Sequence, residues 1–129
     1  MAPRVSVIIP CHNAEAYIAA TLQSVFDQTW PNIEVIVVDD GSTDGSVRLV
    51  SALGGQRVRL IEQLNRGAAA ARNHGFSMST GEFIQFLDAD DIIDPDKLDI
   101  QMARLLDRPD CVASAEWGRF HDRPENTVF

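Results

Sequence analysis

The sequence predicts an α/β domain with a largely parallel β-sheet. Short runs rich in β-branched residues alternate along the chain with longer segments in which apolar residues recur at helical spacing. The chain has 129 residues, of which 45% are hydrophobic, so it is long enough to bury the core of one domain. We therefore expect a single domain over residues 1–129.

Five apolar runs are predicted to be strands. Each run is short and is bounded by turn-forming residues. In chain order they are RVSVIIP, IEVIVVD, VRLIE, FIQFL and CVASAEW, at residues 4–10, 33–39, 58–62, 83–87 and 111–117.

Four helices are predicted between and after these strands. Apolar residues at helical spacing from Ile18 to Phe26 predict a first helix, with Asn13 as its N-cap. The pair Gly54-Gly55 ends a second, and alanines mark a third. Asp94-Pro95 places a capping acid before a proline, as at the start of a fourth. The predicted helices cover residues 14–28, 43–53, 67–79 and 94–106.

Composition argues against two classes of function. Nineteen acidic and eleven basic residues give a net charge of -8, which disfavours binding to nucleic acid. The longest apolar stretches, 5–10 and 33–38, are far shorter than the roughly 20 residues of a membrane span. The two cysteines, Cys11 and Cys111, lack the spacing of a metal site or a disulfide framework, so we expect reduced, structural thiols and a cytoplasmic protein.

Polar residues follow four of the predicted strands. The strands lead to the sequences PCHN, DDGS, NRG and DADD, at residues 10–13, 39–42, 65–67 and 88–91. In open parallel sheets, ligands bind in the crevice beyond the carboxyl ends of the strands. These residues are therefore the candidates for a ligand site.

The acids at these strand ends suggest a divalent cation. Asp88, Asp90 and Asp91 are expected beside Asp39 and Asp40. Two carboxylates about 4 Å apart repel by roughly 1 kcal/mol in water and roughly 4 kcal/mol near a protein surface. Magnesium or manganese would offset this repulsion and would complete its shell with water and the phosphates of a substrate.

A second interpretation treats the acids as turn formers and helix caps. It is preferred for Asp94, Asp96 and Asp91, and it also accounts for much of the loop DDGSTDGS, in which Ser42 or Thr43 would cap a helix. It leaves Asp39 unexplained. An acid at the end of an apolar run is better placed to accept hydrogen bonds from a nucleobase or a ribose.

Several other phosphate-binding classes fit less well. The GxGxxG and GxxxxGK[ST] motifs are absent after every strand, which argues against a dinucleotide-binding domain and a P-loop NTPase. A phosphotransfer domain of the receiver or haloacid dehalogenase-like kind would need a different arrangement of acids and lysine. A sugar nucleotidyltransferase would carry a basic, glycine-rich loop where this chain has PCHNAEAY.

Four blocks together resemble the family 2 glycosyltransferases with the GT-A fold. They are VSVIIPCHNAEAYI, EVIVVDDGSTDGS, NRGAAAARNHG and GEFIQFLDADDIIDPDKL, in the usual order and at the usual separations. The likeness runs from residue 3 to about 106, and more loosely through EWGRF. It implies a Rossmann-like, mostly parallel sheet flanked by helices. It also implies inverting, metal-dependent transfer of a sugar from a nucleotide diphosphate, typically a UDP-sugar, to a saccharide, lipid-linked or protein acceptor.

The resemblance assigns roles to residues of the first three blocks. Pro10, His12 and Asn13 would form the wall of the nucleotide pocket, and Asp39 would bind the nucleobase. The family often has tyrosine at the position of His12, so this chain departs from the pattern there. The NxGxxxARN block is matched by Asn65, Gly67, Ala71, Arg72 and Asn73.

Two residues of that third block have further expected roles. The backbone at Gly67 would approach the nucleotide. Arg72 would either offset charge on the donor or tie the third helix to a nearby acid.

In the fourth block, Asp88-Ala89-Asp90 matches the DXD motif, whose acids reach the ribose and a Mn²⁺ or Mg²⁺ ion, with Asp90 as the direct ligand and Asp88 beside it.

The resemblance leaves one catalytic group unassigned. In the family, the general base is an acid in a C-terminal half that holds the acceptor. Glu116 and Asp122 match no motif for it, so the base is expected beyond Phe129 and the chain is interpreted as a truncated, donor-binding part. The alternative is a sugar-nucleotide-binding module without catalytic activity. The arginine-rich composition is compatible with a bacterial source, and a peripheral position at the inner membrane face is the alternative to a free position in the cytoplasm.

Overall fold

The computed structural model describes residues 2–115 and 118, and it has the predicted α/β architecture with a parallel sheet. Strands and helices alternate along the chain, with one short 3-10 turn at Gly55–Arg57. The strands are β1 Val5–Cys11, β2 Ile33–Asp40, β3 Val58–Gln63 and β4 Phe83–Phe86. The helices are α1 Ile18–Phe26, α2 Ser46–Gly54, α3 Ala68–Met78 and α4 Lys97–Leu105.

The four strands form one parallel sheet in the order β3-β2-β1-β4. Near the carboxyl ends, Cys11 of β1 is level with Asp39 of β2, and Asp40 is level with Gln63 of β3. Because the strands run in the same direction, the residues that follow them meet at one edge of the sheet. The fold thus brings together the polar segments that the sequence analysis selected.

Helices cover both faces of the sheet, which explains the continuous apolar runs in β1 and β2. One face packs with α1, α2 and α4 into the larger part of the core, where Ile9, Ile18, Leu22 and Val37 are fully buried. The other face packs against α3. A Cβ atom at Gly75 would lie only 2.5 Å from Cγ2 of Ile8, so this glycine lets α3 approach the sheet closely.

The helix α1 begins four residues later than predicted, and Asn13 does not cap it. The carbonyl of Ala14 accepts hydrogen bonds from the amides of Tyr17 and Ile18, so a turn precedes the helix. Asn13 has a positive φ of 49°, and its Oδ1 accepts a hydrogen bond from the amide of Thr43 at 2.8 Å. This asparagine joins the end of β1 to the loop after β2.

The predicted side-chain caps of α2 and α4 are also wrong. Helix α2 begins at Ser46, and neither Ser42 nor Thr43 caps it. Helix α4 begins at Lys97, because Asp94 forms the first residue of a turn in which its carbonyl accepts from the amide of Lys97. The carbonyl of Asp94 also accepts from Nε2 of Gln28, and this contact ties the turn to the end of α1.

The fifth predicted strand is not formed where the structure describes it. Residues 111–115 are not in a strand, and Glu116 and Trp117 lie outside the described residues. Val112 is 96% exposed and Cys111 is also exposed, so these two side chains do not pack against the described sheet. Cys111 is therefore not a core residue. Among the described residues, no helix is long and apolar enough to cross a membrane.

Candidate functional site

A cleft of about 320 Å³ lies at the carboxyl edge of the sheet. It is formed by the segments that follow β1 and β4, by the first turn of α3 and by Asp40 at the end of β2. Six of the sequence-predicted site residues line it: Pro10, His12, Asn13, Arg72, Asp88 and Asp90. The other lining residues are Cys11, Ala14, Tyr17, Asp40, Ala68 and Ala89.

Three carboxylates form a cluster in the loop that follows β4. One side of this cluster lines the cleft. One oxygen from each of Asp88, Asp90 and Asp91 lies within 4.8 Å of the others, and all three residues are exposed. Ala89 points inward instead, and its carbonyl accepts a hydrogen bond of 2.8 Å from Oγ1 of Thr21 in α1. The acidic loop is therefore anchored to the fold through its buried alanine.

The charges of this cluster repel one another. Partial burial and the neighbouring charges of Asp90 and Asp88 raise the pKa of Asp91 above its ordinary value. Closely spaced carboxylate oxygens are the ligands that Mg²⁺ and Mn²⁺ prefer. The donor set of Asp88, Asp90 and Asp91 thus fits the divalent cation that the sequence analysis expected.

Among the described residues that line the cleft, Arg72 of α3 is the one basic side chain that contacts this cluster. Its Nη2 lies 3.0 Å from Oδ1 of Asp88, and the two side chains are 38% and 54% exposed. An exposed ion pair of this kind contributes about 0–1 kcal/mol to stability. This contact corresponds to one of the two roles expected for Arg72, which is to tie α3 to a nearby acid.

Asp40 is a buried carboxylate at the inner end of the cleft. It is 4% exposed, and its oxygens accept hydrogen bonds from Nε2 of Gln63 and from the amides of Arg66 and Gly67, at 2.7–2.9 Å. The bond from Gln63, followed by those from the two amides, lowers the pKa of Asp40. Asp40 therefore holds the loop that leads into α3.

Gly67 stands at the start of α3 but does not line the cleft. Its φ is 97°, a conformation that residues with a side chain rarely adopt, while a Cβ atom there would meet nothing within 4 Å. The glycine is thus required by the turn that presents its amide to Asp40. The expected close approach of its backbone to a nucleotide stays a prediction.

Asp39 is buried beside the cleft, but it does not line it. The amide and the hydroxyl of Ser42 donate to its two oxygens at 3.0 and 2.6 Å. These bonds give Asp39 a local role in folding the loop after β2, so the argument that a turn leaves this acid unexplained is wrong. Its role in binding a nucleobase stays a prediction.

Cys11 forms part of the apolar wall of the cleft. Burial, and then the charge of Asp39, raise the pKa of the Cys11 thiol to about 11. The thiol is therefore protonated at neutral pH, and its nucleophilicity is low. Cys11 is a free, buried cysteine, as the sequence analysis expected.

His12 lies between the ends of β1 and β2. Its Nδ1 is 2.9 Å from the carbonyl oxygen of Asp40. A carbonyl only accepts hydrogen bonds, so this contact requires a proton on Nδ1 and, in the neutral ring, leaves Nε2 as an acceptor. The amide nitrogen of Asn13 lies 3.4 Å from Nε2. The amide nitrogen of Asn65 is nearly equidistant from Nε2 and Nδ1, at 3.4 and 3.5 Å, so it lies over one face of the ring. These contacts fix the plane of the ring.

Six residues that line the cleft were not selected from the sequence as individual site residues, and two of them, Asp40 and Tyr17, show why. Asp40 was treated only as part of the acidic group, because adjacent aspartates do not reveal which one faces the cleft. Tyr17 is 58% exposed and lines the cleft from the turn before α1. The late start of α1 places this aromatic ring at the edge, and the prediction of a helix from residue 14 concealed it.

Comparison with known proteins gives one consistent family. The model of the family described as "Glycosyl transferase family 2" matches residues 6–127. The chain is 41% identical over 103 residues to the Escherichia coli protein WfgD, a UDP-Glc:alpha-D-GlcNAc-diphosphoundecaprenol beta-1,3-glucosyltransferase, covering 79% of this chain and 41% of WfgD.

Two solved structures are similar in fold. TarS 1-349 of S. aureus, crystallised with UDP-GlcNAc, has a TM-score of 0.77 and 32% identity over 82% of this chain and 32% of TarS. The mannosyltransferase PcManGT of Pyrobaculum calidifontis, in complex with GDP-Man and Mn²⁺, has a TM-score of 0.78 and 33% identity, covering 84% of this chain and 34% of PcManGT. This chain spans less than half the length of the curated relatives it matches.

Proposed function

The chain belongs to glycosyltransferase family 2 and has its GT-A fold, and we propose that residues 1–129 are the donor-binding part of an inverting, metal-dependent transferase. One observation carries this proposal: the carboxylates of Asp88 and Asp90 line the same cleft as His12, Asn13 and Arg72. A nucleotide diphosphate needs such a combination, because its base and ribose bind through stacking and hydrogen bonds while its phosphates bind to cations.

The cation is proposed to be Mn²⁺ or Mg²⁺, held by Asp90 and Asp88. When bound, it would offset the negative charge that develops on the diphosphate leaving group. The similarity to PcManGT, which was solved with Mn²⁺, supports this choice. Arg72 lies against Asp88 and would supply a further positive charge at the phosphates.

The nucleoside is proposed to bind against Pro10, His12 and Asn13, with its base near Asp39 and its ribose near Asp88. The contacts of His12 with Asp40 and Asn65 fix the orientation of its ring, and the base would stack on the face away from Asn65. The backbone at Gly67 would lie close to the nucleotide. We propose a UDP-sugar as donor, because TarS was solved with UDP-GlcNAc and the name of WfgD specifies UDP-Glc.

The acceptor is proposed to be a hydroxyl of a saccharide, lipid-linked or protein molecule. We assign no residue of this chain as the general base and propose that this carboxylate lies beyond Phe129, in a part that the longer relatives possess. The enzyme would act in the cytoplasm or at the inner face of the membrane, where the nucleotide sugar is available.

Nucleotide selectivity tests the proposal. UDP, GDP and ADP are titrated calorimetrically into the chain in the presence of Mn²⁺. Binding of UDP at least about tenfold tighter than the other two supports a uridine donor site. Tighter binding of GDP would replace the proposed donor by a GDP-sugar, and equal binding of all three would refute a base-selective pocket. Selective binding without transfer, in a longer form that carries the proposed acceptor-binding part, would favour a sugar-nucleotide-binding module.

A further inference from the structure

A second cavity, of about 580 Å³, lies at the amino ends of the strands. We name it the basal cavity and define it by Arg4, Phe26, Trp30, Arg57 and Arg59, which contribute to its wall. Seven residues of β1 separate its edge of the sheet from the cleft. At about 3.3 Å per strand residue, the two sites are about 20 Å apart.

The basal cavity is positively charged in a protein whose net charge is -8. Three arginines line it, against one carboxylate, Glu34. One oxygen of Glu34 is already bound by the hydroxyl of Ser6 and the amide of Thr80, at 2.5 and 2.9 Å. In the described part of the chain, none of the three arginines forms an ion pair.

The guanidinium groups of these arginines use only some of their hydrogen-bond donors. Arg4 donates to side-chain oxygens of Asn32 and Thr80, and Arg59 donates one bond to the carbonyl of Met78. Arg57 has no hydrogen-bond acceptor among the described residues. Since each guanidinium carries five N–H groups, most of these donors remain available to a ligand.

Aromatic side chains form the apolar part of the same wall. The guanidinium carbon of Arg57 lies 3.7 Å from the centroid of the Phe26 ring, which holds the arginine in a stacked position. The indole Nε1 of Trp30 donates to the carbonyl of Pro3 at 3.0 Å, which fixes that ring. The wall thus combines positioned cations with flat apolar surface.

A purely structural role accounts for only part of this arrangement. Phe26 is the last residue of α1, and a cation near the carboxyl end of a helix is stabilised by the helix dipole. This explains a positive charge at Arg57. Arg59 and Arg4 also have structural contacts, with the carbonyl of Met78 at the end of α3 and with the side chains of Asn32 and Thr80. These contacts use only three of the fifteen N–H donors of the three guanidinium groups.

We propose that the basal cavity binds a phosphate ester through Arg4, Arg57 and Arg59, independently of the donor cleft. The planar fork of a guanidinium matches two oxygens of a phosphate, and three such groups around one cavity suit a dianion or a diphosphate. The concave shape suits a small molecule or a single headgroup, with its apolar part against Phe26 and Trp30.

The test is a calorimetric titration of inorganic pyrophosphate into the 129-residue chain with EDTA present. EDTA removes the cations that would recruit pyrophosphate to the acidic cleft. We expect saturable binding that Arg57→Gln/Arg59→Gln weakens by at least about tenfold, because two charged donors are lost. Arg48→Gln is the matched control, since Arg48 is an exposed arginine of α2 outside the cavity. It should bind like the parent.

Three results would overturn the proposal: no saturable binding by the parent, equal binding by the double variant, or an equal loss in Arg48→Gln. Circular dichroism checks the fold of each variant. If the double variant unfolds, the single variant Arg57→Gln is used in its place. The Arg57 side chain donates no hydrogen bond within the described residues, so its replacement should leave the fold intact. The Mn²⁺-dependent binding of UDP should be unchanged in these variants, which separates this test from that of the donor site.

Two further titrations identify the source of the phosphate. Glycerol 3-phosphate represents a soluble phosphate ester, and vesicles containing phosphatidylglycerol represent a lipid headgroup. Arginine-dependent binding to the first alone would support a soluble metabolite, and binding to the vesicles alone would support a lipid. Absence of arginine-dependent binding to both would refute a phosphate ester as the ligand.

Discussion

Gln63 donates a hydrogen bond of 2.9 Å from its Nε2 to Oδ1 of the buried Asp40. The other end of the same amide, Oε1, lies 2.8 Å from Nδ1 of His74 in α3. Because an ionised carboxylate only accepts, these contacts fix the orientation of the amide and require a proton on Nδ1 of His74. A chain of polar contacts thus joins α3 and β3 to the acid at the inner end of the cleft.

Replacing Gln63 by leucine should destabilise the fold. The change removes a donor from a buried carboxylate, and we expect a loss of about 1–3 kcal/mol in the free energy of unfolding. Gln23→Leu is the control, since Gln23 makes a similar bond to Asp27 on the exposed face of α1. Urea denaturation measures both. Equal losses of unfolding free energy in the two variants would show that the contact with Asp40 stabilises the fold no more than an exposed hydrogen bond does.

The stability of the fold should fall in acid because of Asp40. Hydrogen bonds lower its pKa in the folded state below the ordinary value of 3.8. The stabilisation is therefore complete above about pH 4 and is lost as the pH falls through the lower, folded-state value. Asp40→Asn should be less stable at pH 7 and should depend less steeply on pH below 4.

Denaturation of the parent and of Asp40→Asn between pH 2.5 and 7 measures this dependence. Asp96→Asn is a suitable control, because this exposed acid lies outside the cleft. Parallel curves for the parent and Asp40→Asn would contradict the assignment of the acid sensitivity to Asp40.

Removing one acid of the exposed cluster should not destabilise the metal-free protein. Asp90→Ala deletes a charge that repels Asp91 and raises its pKa. We therefore expect a thermal midpoint equal to or higher than that of the parent when EDTA is present. A lower midpoint would mean that Asp90 makes a stabilising contact, and would weaken the interpretation of the cluster as a set of cation ligands.

Asp39→Ala tests whether this acid contributes to base recognition. The variant loses both hydrogen bonds from Ser42 and should be less stable by about 1–3 kcal/mol. Ser42→Ala keeps the carboxylate and is the control, although it removes two bonds: the shorter bond to Asp39 and the one that its hydroxyl accepts from the amide of Asn13. If Asp39 binds the base, UDP affinity should fall much more in Asp39→Ala than in Ser42→Ala.

Equal losses in the two variants would assign Asp39 only to the folding of its loop. Both variants must be folded at the temperature of the titration, which near-ultraviolet circular dichroism establishes. Unchanged UDP affinity in Asp39→Ala would refute the assignment of the base to this residue.

Elements with strong periodic patterns were predicted well from the sequence. The cores of β1 to β4 and of the four helices lie where the apolar runs and repeats placed them. The helix starts were predicted less well, because residues such as Asn13 and Asp94 are used for contacts between loops instead of caps. The sequence carries no local signal for such long-range partners.

The composition of the site was predicted better than its orientation. The strand-end rule located the cleft, and the DXD motif located the acidic cluster. The sequence alone does not indicate which of Asp39 and Asp40 faces the cleft. Both lie at the end of β2, and adjacent strand residues point to opposite faces of the sheet. The basal cavity was not predicted, because its arginines come from three separate segments with no common motif.

The central claim is that the acidic cluster makes nucleotide binding depend on a divalent cation. The most direct test is calorimetric titration of UDP with Mn²⁺, with EDTA, and with Mn²⁺ in the Asp90→Ala variant. We expect binding to the parent in Mn²⁺ and a loss of at least about tenfold in both other titrations. Equal affinity in all three titrations would contradict it.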